Sequence, residues 1–232
     1  MKYDYVLKII LVGNSNTGKS NFFNLLLNNE IDEPTSTIGV DFSIIYHTIN
    51  DKVFRINLWD TAGQERFYCI IDRYFREISG VILFFDINNI NSFYSLEKWI
   101  TKIKDQNKCN HDHPIILLGN KNDLPNKVNH NDIIDLINKY DLIYIETSLK
   151  QNKIIVYDIL ELIIDKINLF YIKNKKNIIC QNIKLNNEHN YEQKNKLLIT
   201  YQNILNNKSS ENKDNNISNK IKNKLYHYTC FI

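Results

Sequence analysis

The feature that most constrains this chain is an eight-residue turn near its start, Gly13–Ser20, with the sequence GNSNTGKS. It follows an apolar run and precedes a helical pattern, which is the position that a G-x-x-x-x-G-K-S phosphate loop requires. Glycines at both ends let the backbone fold around an anion, so that exposed amides and the start of the helix can bind phosphate. Lys19 would bridge the β- and γ-phosphates, and the Ser20 hydroxyl would bind Mg²⁺. The alternative is a glycine-containing turn that holds no ligand.

Strand-like and helix-like segments alternate from the N-terminus to about Ile172. Short apolar runs predict strands buried on both faces of a sheet, and longer amphipathic stretches predict helices, one of them with Ser92 as its N-cap. The predicted strands are residues 5–12, 40–48, 53–59, 81–85, 115–118 and 142–145, and the predicted helices are residues 20–27, 92–104 and 152–170. This order predicts an α/β fold of the P-loop NTPase class, a three-layer sandwich around a six-stranded, mainly parallel sheet.

The composition changes at about Lys173, where Asn, Lys and Ser become frequent and the periodicity is lost. We expect a nucleotide-binding domain over residues 1–172 and a largely disordered, Asn- and Lys-rich tail over residues 173–232. Residues 1–170 carry 18 Lys and Arg against 22 Asp and Glu, whereas residues 171–232 carry 11 against 4. An acidic body argues against nucleic-acid binding. The basic tail could approach an anionic membrane, unless it only reflects a chain rich in lysine and asparagine.

The four cysteines show no paired spacing, which indicates neither a zinc site nor a disulfide framework. The start of the chain has no signal-peptide pattern, and no apolar stretch approaches the roughly 20 residues of a transmembrane helix. We therefore expect a cytoplasmic protein whose membrane contact would come through its tail.

A second motif, Asp60–Glu65, follows the strand that ends at Trp59. A carboxylate at Asp60 can hold the hydration shell of Mg²⁺, the Gly63 amide can meet the γ-phosphate, and Gln64 can orient an attacking water. A solvated turn would explain these residues if they stood alone, but they accompany a phosphate loop.

The third and fourth motifs, Asn120–Asp123 and Glu146–Lys150, each follow a buried strand. The Asp123 carboxylate can accept hydrogen bonds from N1–H and the 2-amino group of guanine, and adenine lacks that donor pair. A site built for this pair rejects the other base, because the carboxylate would be left unpaired. The Glu146–Lys150 loop suits backbone amides that bind the guanine oxygen. The sequence therefore predicts GTP and GDP as ligands over ATP.

These four motifs, in this order and spacing, resemble those of the Ras superfamily of small GTPases over residues 5–170. Within that superfamily the chain is similar to the Rab family. Three segments carry this similarity: Ile38–Phe42 in the effector region, Trp59–Phe67, and Asp72–Arg76 after it. The resemblance implies slow GTP hydrolysis with Mg²⁺, a switch in vesicle-mediated membrane traffic, and the cytoplasmic face of an intracellular membrane as location. It also implies effectors, an exchange factor, a GTPase-activating protein and a GDP-dissociation inhibitor as partners of a monomer.

The resemblance also implies roles for individual residues. Catalysis would use Gln64, Lys19 and Thr37, and Mg²⁺ would be held by Ser20, Thr37 and Asp60. The effector region would comprise Ile38, Gly39, Val40, Asp41 and Phe42. The nucleotide would be bound by Gly13, Asn14, Ser15, Asn16, Thr17, Gly18, Lys19, Ser20, Asn21, Thr37, Asp60, Gly63, Asn120, Lys121, Asp123, Ser148, Leu149 and Lys150.

The chain departs from the Rab pattern at several positions. Residues 28–34 lack the aromatic residue that usually stacks on guanine, Glu77 replaces a usual glycine, and Leu149 replaces a usual alanine. Cys230 is followed by only two residues, one short of the prenylation motif CaaX, so it is either a lipidation site or an incidental cysteine. These departures leave one alternative function open: a non-cycling guanine-nucleotide-binding protein that sequesters or mimics Rab partners.

Overall fold

The computed structural model describes residues 2–29, 37, 39–63, 72–106 and 113–173 of the chain. Within these residues six strands form one sheet: β1 Tyr5–Gly13, β2 Val40–Ile49, β3 Lys52–Thr61, β4 Gly80–Asp86, β5 Ile115–Asn120 and β6 Ile143–Glu146. Five α-helices are described: α1 Lys19–Leu26, α2 Ile90–Tyr94, α3 Leu96–Gln106, α4 His130–Tyr140 and α5 Ile155–Lys173. A short 3₁₀ helix, Asp72–Phe75, precedes β4.

The strand order across the sheet is β2-β3-β1-β4-β5-β6. All neighbouring pairs are parallel except β2 and β3, which form an antiparallel hairpin. Parallel neighbours need long crossovers, and the helices supply them. The predicted six-stranded, mainly parallel α/β fold is therefore confirmed, and the carboxyl ends of five strands lie at one edge of the sheet.

The β2–β3 hairpin turns at Asn50 and Asp51, between the predicted strands 40–48 and 53–59. Both residues have positive φ angles, 48° and 59°. Two consecutive residues in the left-handed region define the tight turn whose twist matches that of the flanking strands, and Asn and Asp tolerate this region better than most residues do. This short turn leaves β2 at the edge of the sheet.

The sheet is covered on both faces. Helices α1 and α5 contribute Phe22, Ile159 and Ile163 to an apolar cluster with the inward side chains of the strands, including Leu7 and Leu58. The buried residues of helix α3, which packs near β1, are Leu96, Trp99, Ile100 and Ile103. Burying one such side chain contributes about 1.5–3 kcal/mol, so the two layers hold the phosphate loop on a rigid base.

The helical region after β4 differs from the prediction. The N-cap is Asn89, whose side chain accepts a hydrogen bond from the Asn91 amide, and the helix breaks at Ser95. Ser92 is instead buried, and its hydroxyl donates to the Asp86 and Asn89 carbonyls. A side chain of this type can cap a helix or bond to nearby carbonyls, and the sequence does not distinguish the two.

Helix α4 is absent from the sequence-based prediction, although Asn129 caps it in the same way as Asn89 caps α2. The predicted tail beyond Lys173, with Cys230, lies outside the described residues, as do residues 30–36, Ile38, Gln64 and residues 65–71. Among the helices of the described residues, none combines the length and the apolar character that crossing a bilayer demands.

Candidate nucleotide-binding site

The four motifs lie at the same edge of the sheet, because each follows the carboxyl end of a parallel strand. The phosphate loop begins where β1 ends, Asp60 lies near the end of β3, and Asn120–Asp123 follows β5. The loop Glu146–Lys150 begins at the end of β6. In open parallel sheets this edge is where ligands bind.

The phosphate loop is held by short contacts that require glycine at position 18. Gly18 has a φ of 102°, and a Cβ placed there would collide with the Nδ2 atom of Asn120. The buried Thr17 hydroxyl donates to the Asn14 carbonyl at 2.9 Å. Ser15 and Asn16 are exposed at the tip of the loop, and Asn21 is half-buried in the first turn of α1. These contacts hold the base of the phosphate loop, while its tip at Ser15 and Asn16 is exposed.

Lys19 is buried beneath this loop. Its Nζ atom donates to the carbonyl oxygens of Gly13 at 2.9 Å and Asn14 at 2.8 Å. Burial lowers the pKa of Lys19 to about 8, and the nearby charge of Asp60 opposes this shift. The Lys19 ammonium group can exchange these two neutral carbonyl acceptors for a phosphate oxygen. The exchange is favourable because a hydrogen bond to a charged acceptor is stronger.

The three residues predicted to hold Mg²⁺ lie together. The Ser20 hydroxyl donates to Asp60 Oδ2 at 2.6 Å, and the Ser20 and Thr37 hydroxyl oxygens are 2.7 Å apart. Asp60 is fully buried, and this burial raises the pKa of its carboxyl to about 6, while the hydrogen bond from Ser20 opposes the shift. Residues from α1, from the segment before β2 and from β3 therefore converge on one point.

The donor set fits Mg²⁺. It consists of a carboxylate and two hydroxyls, and oxygen ligands are what this hard cation prefers. Within the described residues Asp60 Oδ1 is buried without a hydrogen-bond partner, although a buried carboxylate oxygen normally has one. An ion or its water shell would satisfy this oxygen.

Gly63, two residues beyond the end of β3, lies against the phosphate loop. A Cβ on Gly63 would lie 2.6 Å from the Asn14 carbonyl oxygen and would collide with the Ser15 amide nitrogen. The predicted contact between the Gly63 amide and a γ-phosphate is therefore compatible with its position. Gln64, the predicted water-orienting residue, lies outside the described residues.

The base-binding motifs are joined to the phosphate loop through Asn120. Its Nδ2 atom donates to the Thr17 carbonyl at 2.9 Å, and its Oδ1 atom accepts from the Leu149 amide at 3.2 Å. Asn120 is buried, so these bonds are shielded from water. The Asn120 side chain thus joins the phosphate loop to the Glu146–Lys150 loop.

Asp123 is half-buried, and among the described residues no hydrogen-bonding or ion-pair partner occupies its carboxylate. Both of its oxygens are therefore available for a donor pair. Ser148 and Leu149 are buried and Lys150 is exposed. The Leu149 backbone amide donates to Asn120 Oδ1, so this amide is engaged within the protein.

The region predicted to contact effectors contains an exposed aromatic surface. Gly39, Val40, Asp41 and Phe42 are described, and the Gly39 carbonyl accepts from the Ala62 amide at 2.9 Å. Phe42 is 46% exposed, and its ring lies 4.5 Å from that of Trp59, which lies 5.0 Å from that of Tyr74. The rings thus link the effector region to the segment before β4.

Three further residues at the site were not singled out as functional from the sequence. Asp86, the last residue of β4, forms an ion pair with Lys121 at 2.8 Å. Ser95 and Trp99 both hydrogen bond to the Asn14 side chain. The sequence does indicate Asp86, since it ends an otherwise apolar strand at the edge of the sheet where ligands bind. It does not indicate Trp99, because the spacing of Trp99 is that of a core residue.

Comparison with known proteins agrees with this arrangement. The Ras family model matches residues 8–169. Over 150 residues the chain is 38% identical to Ras-related protein Rab11A of Nicotiana tabacum, a match that covers 63% of this chain and 68% of that protein. It is 37% identical over 153 residues to Ras-related protein RABA1c of Arabidopsis thaliana, with the same coverage. Ras-related protein Rab-11A of Dictyostelium discoideum is 37% identical over 150 residues, which cover 63% of this chain and 69% of that protein.

The chain therefore belongs to the Ras family of small GTPases, and its relatives place it among the Rab proteins. It hydrolyses GTP to GDP and acts as a switch in membrane traffic. This membership supports a cycling GTPase over the non-cycling alternative.

Proposed function

We propose that this Rab-type GTPase binds GTP and GDP through the four motifs at the sheet edge, with Mg²⁺ held by Ser20, Thr37 and Asp60. The observation that carries the proposal is the convergence of these three side chains: the Ser20 hydroxyl oxygen lies 2.6 Å from Asp60 Oδ2 and 2.7 Å from the Thr37 hydroxyl oxygen. Mg²⁺, when bound, neutralises charge on the β- and γ-phosphate oxygens.

Different residues have different roles in GTP hydrolysis. Lys19 binds the phosphate oxygens, the loop amides orient the γ-phosphate, and Gln64 positions the attacking water. We assign no arginine of this chain to the transition state, so hydrolysis by the chain alone is slow. A GTPase-activating partner that supplies an arginine would accelerate it by about 10³–10⁵.

The switch depends on Thr37 and Gly63, which lie on two segments near the phosphate loop. A γ-phosphate holds both segments in place, and hydrolysis releases them. The aromatic surface of Phe42, Trp59 and Tyr74 lies between these segments, and effectors bind there in the GTP state. The exchange factor, the GTPase-activating protein and the GDP-dissociation inhibitor contact the same segments.

The location we propose is the cytoplasmic face of an intracellular membrane, reached through the basic tail with Cys230 as a lipid attachment site. Membrane fractionation of cells that express the wild type or Cys230→Ser tests this assignment. The wild type should partition to membranes and the variant should not. Equal partitioning of the two proteins would remove the lipid anchor.

The central test identifies the nucleotide and its dependence on Mg²⁺. Mass analysis of the ligand released from the full chain should find GDP or GTP. GDP release should accelerate at least about tenfold when a chelator removes Mg²⁺, because charge-assisted contacts to the phosphates are lost. Ser20→Ala should release GDP rapidly with or without the chelator. Thr101→Ala, which removes an exposed hydroxyl of α3 that donates to the Glu97 carbonyl, is the matched control. An adenine nucleotide, or no nucleotide and no response to GTP, would refute the proposal.

The choice of base is tested at Asp123. In Asp123→Asn the side chain offers one acceptor and one donor, which match N1–H and O2 of xanthine and not the two donors of guanine. We expect GTP affinity to fall about 10- to 100-fold, from the loss of one charge-assisted hydrogen bond, and XTP affinity to rise. Unchanged preference for GTP would show that Asp123 does not bind the base.

A further inference from the structure

The side chain of Asn14, the second residue of the phosphate loop, uses both ends of its amide to bind helix α3 and the turn before it. Its Nδ2 atom donates to Ser95 Oγ at 2.9 Å, and its Oδ1 atom accepts from Trp99 Nε1 at 2.9 Å. Trp99 is 1% exposed, and the Ser95 hydroxyl donates to the Asn91 carbonyl at 2.7 Å. Both partners are therefore fixed in place, and an amide held at both ends has little rotational freedom.

The main chain of the same residue controls Lys19. The Asn14 carbonyl accepts from Lys19 Nζ at 2.8 Å and from the Thr17 hydroxyl at 2.9 Å. A rotation of this peptide would turn away one of the two carbonyls that hold the Lys19 ammonium group. The orientation of residue 14 therefore determines where the catalytic ammonium group lies and how the loop closes.

The opposite side of Asn14 is covered by Gly63. A Cβ on Gly63 would lie 2.6 Å from the Asn14 carbonyl oxygen. The phosphate loop is thus packed between helix α3 on one side and the segment that senses the γ-phosphate on the other. A change on either side of this layer must displace Asn14 or leave a gap, since packed elements do not deform continuously.

We propose that the Asn14 amide is a positioning group for nucleotide binding and hydrolysis, which clamps the phosphate loop to helix α3 through Ser95 and Trp99. The clamp holds the Asn14 carbonyl, and with it Lys19, in the geometry that receives the phosphates. It also couples the environment of the Trp99 indole to the occupancy of the loop. Ser95 and Trp99 are positioning residues that lie outside the four nucleotide-binding motifs.

Three full-length variants and one control test the clamp. Asn14→Ala removes both hydrogen bonds, and we expect GDP release to accelerate about 10- to 100-fold, the range that two ordinary hydrogen bonds span. Trp99→Phe removes only the indole N–H, and Ser95→Ala only the hydroxyl; each should accelerate release about 3- to 10-fold. Thr101→Ala on the same helix lies outside the clamp and should release GDP at the wild-type rate.

A double-mutant cycle distinguishes a specific Asn14–Trp99 interaction from a general loss of stability. Once Asn14→Ala has removed the acceptor, adding Trp99→Phe should change GDP release no further, because residues in one network are not additive. Additive effects would overturn the proposal. It would also fail if the variants lowered the melting temperature but left GDP release unchanged. If Asn14→Ala does not fold, Trp99→Phe and Ser95→Ala decide the matter by themselves.

Tryptophan emission gives a readout that does not depend on activity. The chain has two tryptophans, so Trp59→Phe leaves Trp99 as the single reporter. Emission from Trp99 should change when GDP is removed or replaced by a GTP analogue, and this change should be lost in Asn14→Ala and kept in Thr101→Ala. An identical response in Asn14→Ala and Thr101→Ala would contradict the coupling.

Discussion

The ammonium group of Lys121 lies 2.8 Å from the carboxylate of Asp86, at the point where β4 and β5 end side by side. Lys121 has a left-handed backbone, with a φ of 68°, and Asp86 Oδ1 also accepts from the Asn88 amide at 2.9 Å. Asp86 thus holds a motif residue of the base site from a neighbouring strand.

Asp86→Asn should loosen this contact without disturbing the turn, because an asparagine Oδ1 can still accept from the Asn88 amide. We expect a loss of about 1–2 kcal/mol in stability, below the value for a fully buried pair, and faster GDP release. Urea unfolding and GDP release measure the two effects. Glu97→Gln breaks the exposed Lys139–Glu97 ion pair, also 2.8 Å long, and should cost clearly less stability than Asp86→Asn, because solvent screens the exposed pair. Equal losses in the two variants would contradict a special role for Asp86.

The raised pKa of Asp60 predicts how the stability of the nucleotide-free protein depends on pH. Its pKa is about 6 in the folded chain against 3.8 for an ordinary Asp, so the native state binds the proton more tightly than the unfolded state. Stability should therefore fall as the pH rises from about 4 to 6, by up to about 3 kcal/mol from this group. Asp60→Asn should be more stable than wild type at pH 7 and equal to it at pH 4. Thermal unfolding at both pH values checks this, and a constant difference between the proteins would exclude Asp60 as the cause.

Glu77 replaces the glycine usual at its position, and the structure gives it a φ of 56°. A residue with a Cβ pays roughly 1–2 kcal/mol in this left-handed region. Glu77→Gly should relieve that strain, offset in part by the greater freedom of glycine in the unfolded chain, for a net gain of about 0.5–1 kcal/mol. Arg76→Gly, at the neighbouring exposed position outside the positive-φ residues, should destabilise the protein instead. Chemical denaturation of both variants tests the difference in sign.

Gly18→Ala should separate the phosphate loop from the base site. Its Cβ would displace the Asn120 amide and break the bond to the Thr17 carbonyl, so we expect GDP release to accelerate more than about tenfold. Gly39→Ala is the matched control, because Gly39 also has a positive φ, 84°, but nothing lies within 4 Å of the added carbon. Both variants should lose stability through backbone strain, and only Gly18→Ala should lose nucleotide. Similar GDP release in the two would show that strain alone matters.

The fold and the motif positions were predictable from local pattern. Apolar runs followed by glycine or polar residues mark buried strands and the loops at their ends, and all six strands were found in this way. The helix boundaries after β4 were less predictable, because Ser92 and Asn89 are both capable of capping and only packing decides which one does so. Helix α4 went unrecognised although its sequence carries the signal: Ile133, Leu136 and Ile137 recur at helical spacing after Asn129, a residue type that caps helices.

The sequence by itself determined the predicted chemistry of the site: which loop we expect to bind phosphate, which oxygens suit Mg²⁺ and which carboxylate we expect to select guanine. Each of these assignments depends on residue types within a short stretch of chain, and such a stretch largely determines its own backbone conformation. Only the tertiary structure decided how the motifs are joined. Asn120 bonds to a loop 103 positions away, and Asn14 bonds to Trp99 across 85 positions. Such contacts arise when strands distant in the chain become neighbours in a sheet, and no local pattern encodes that adjacency.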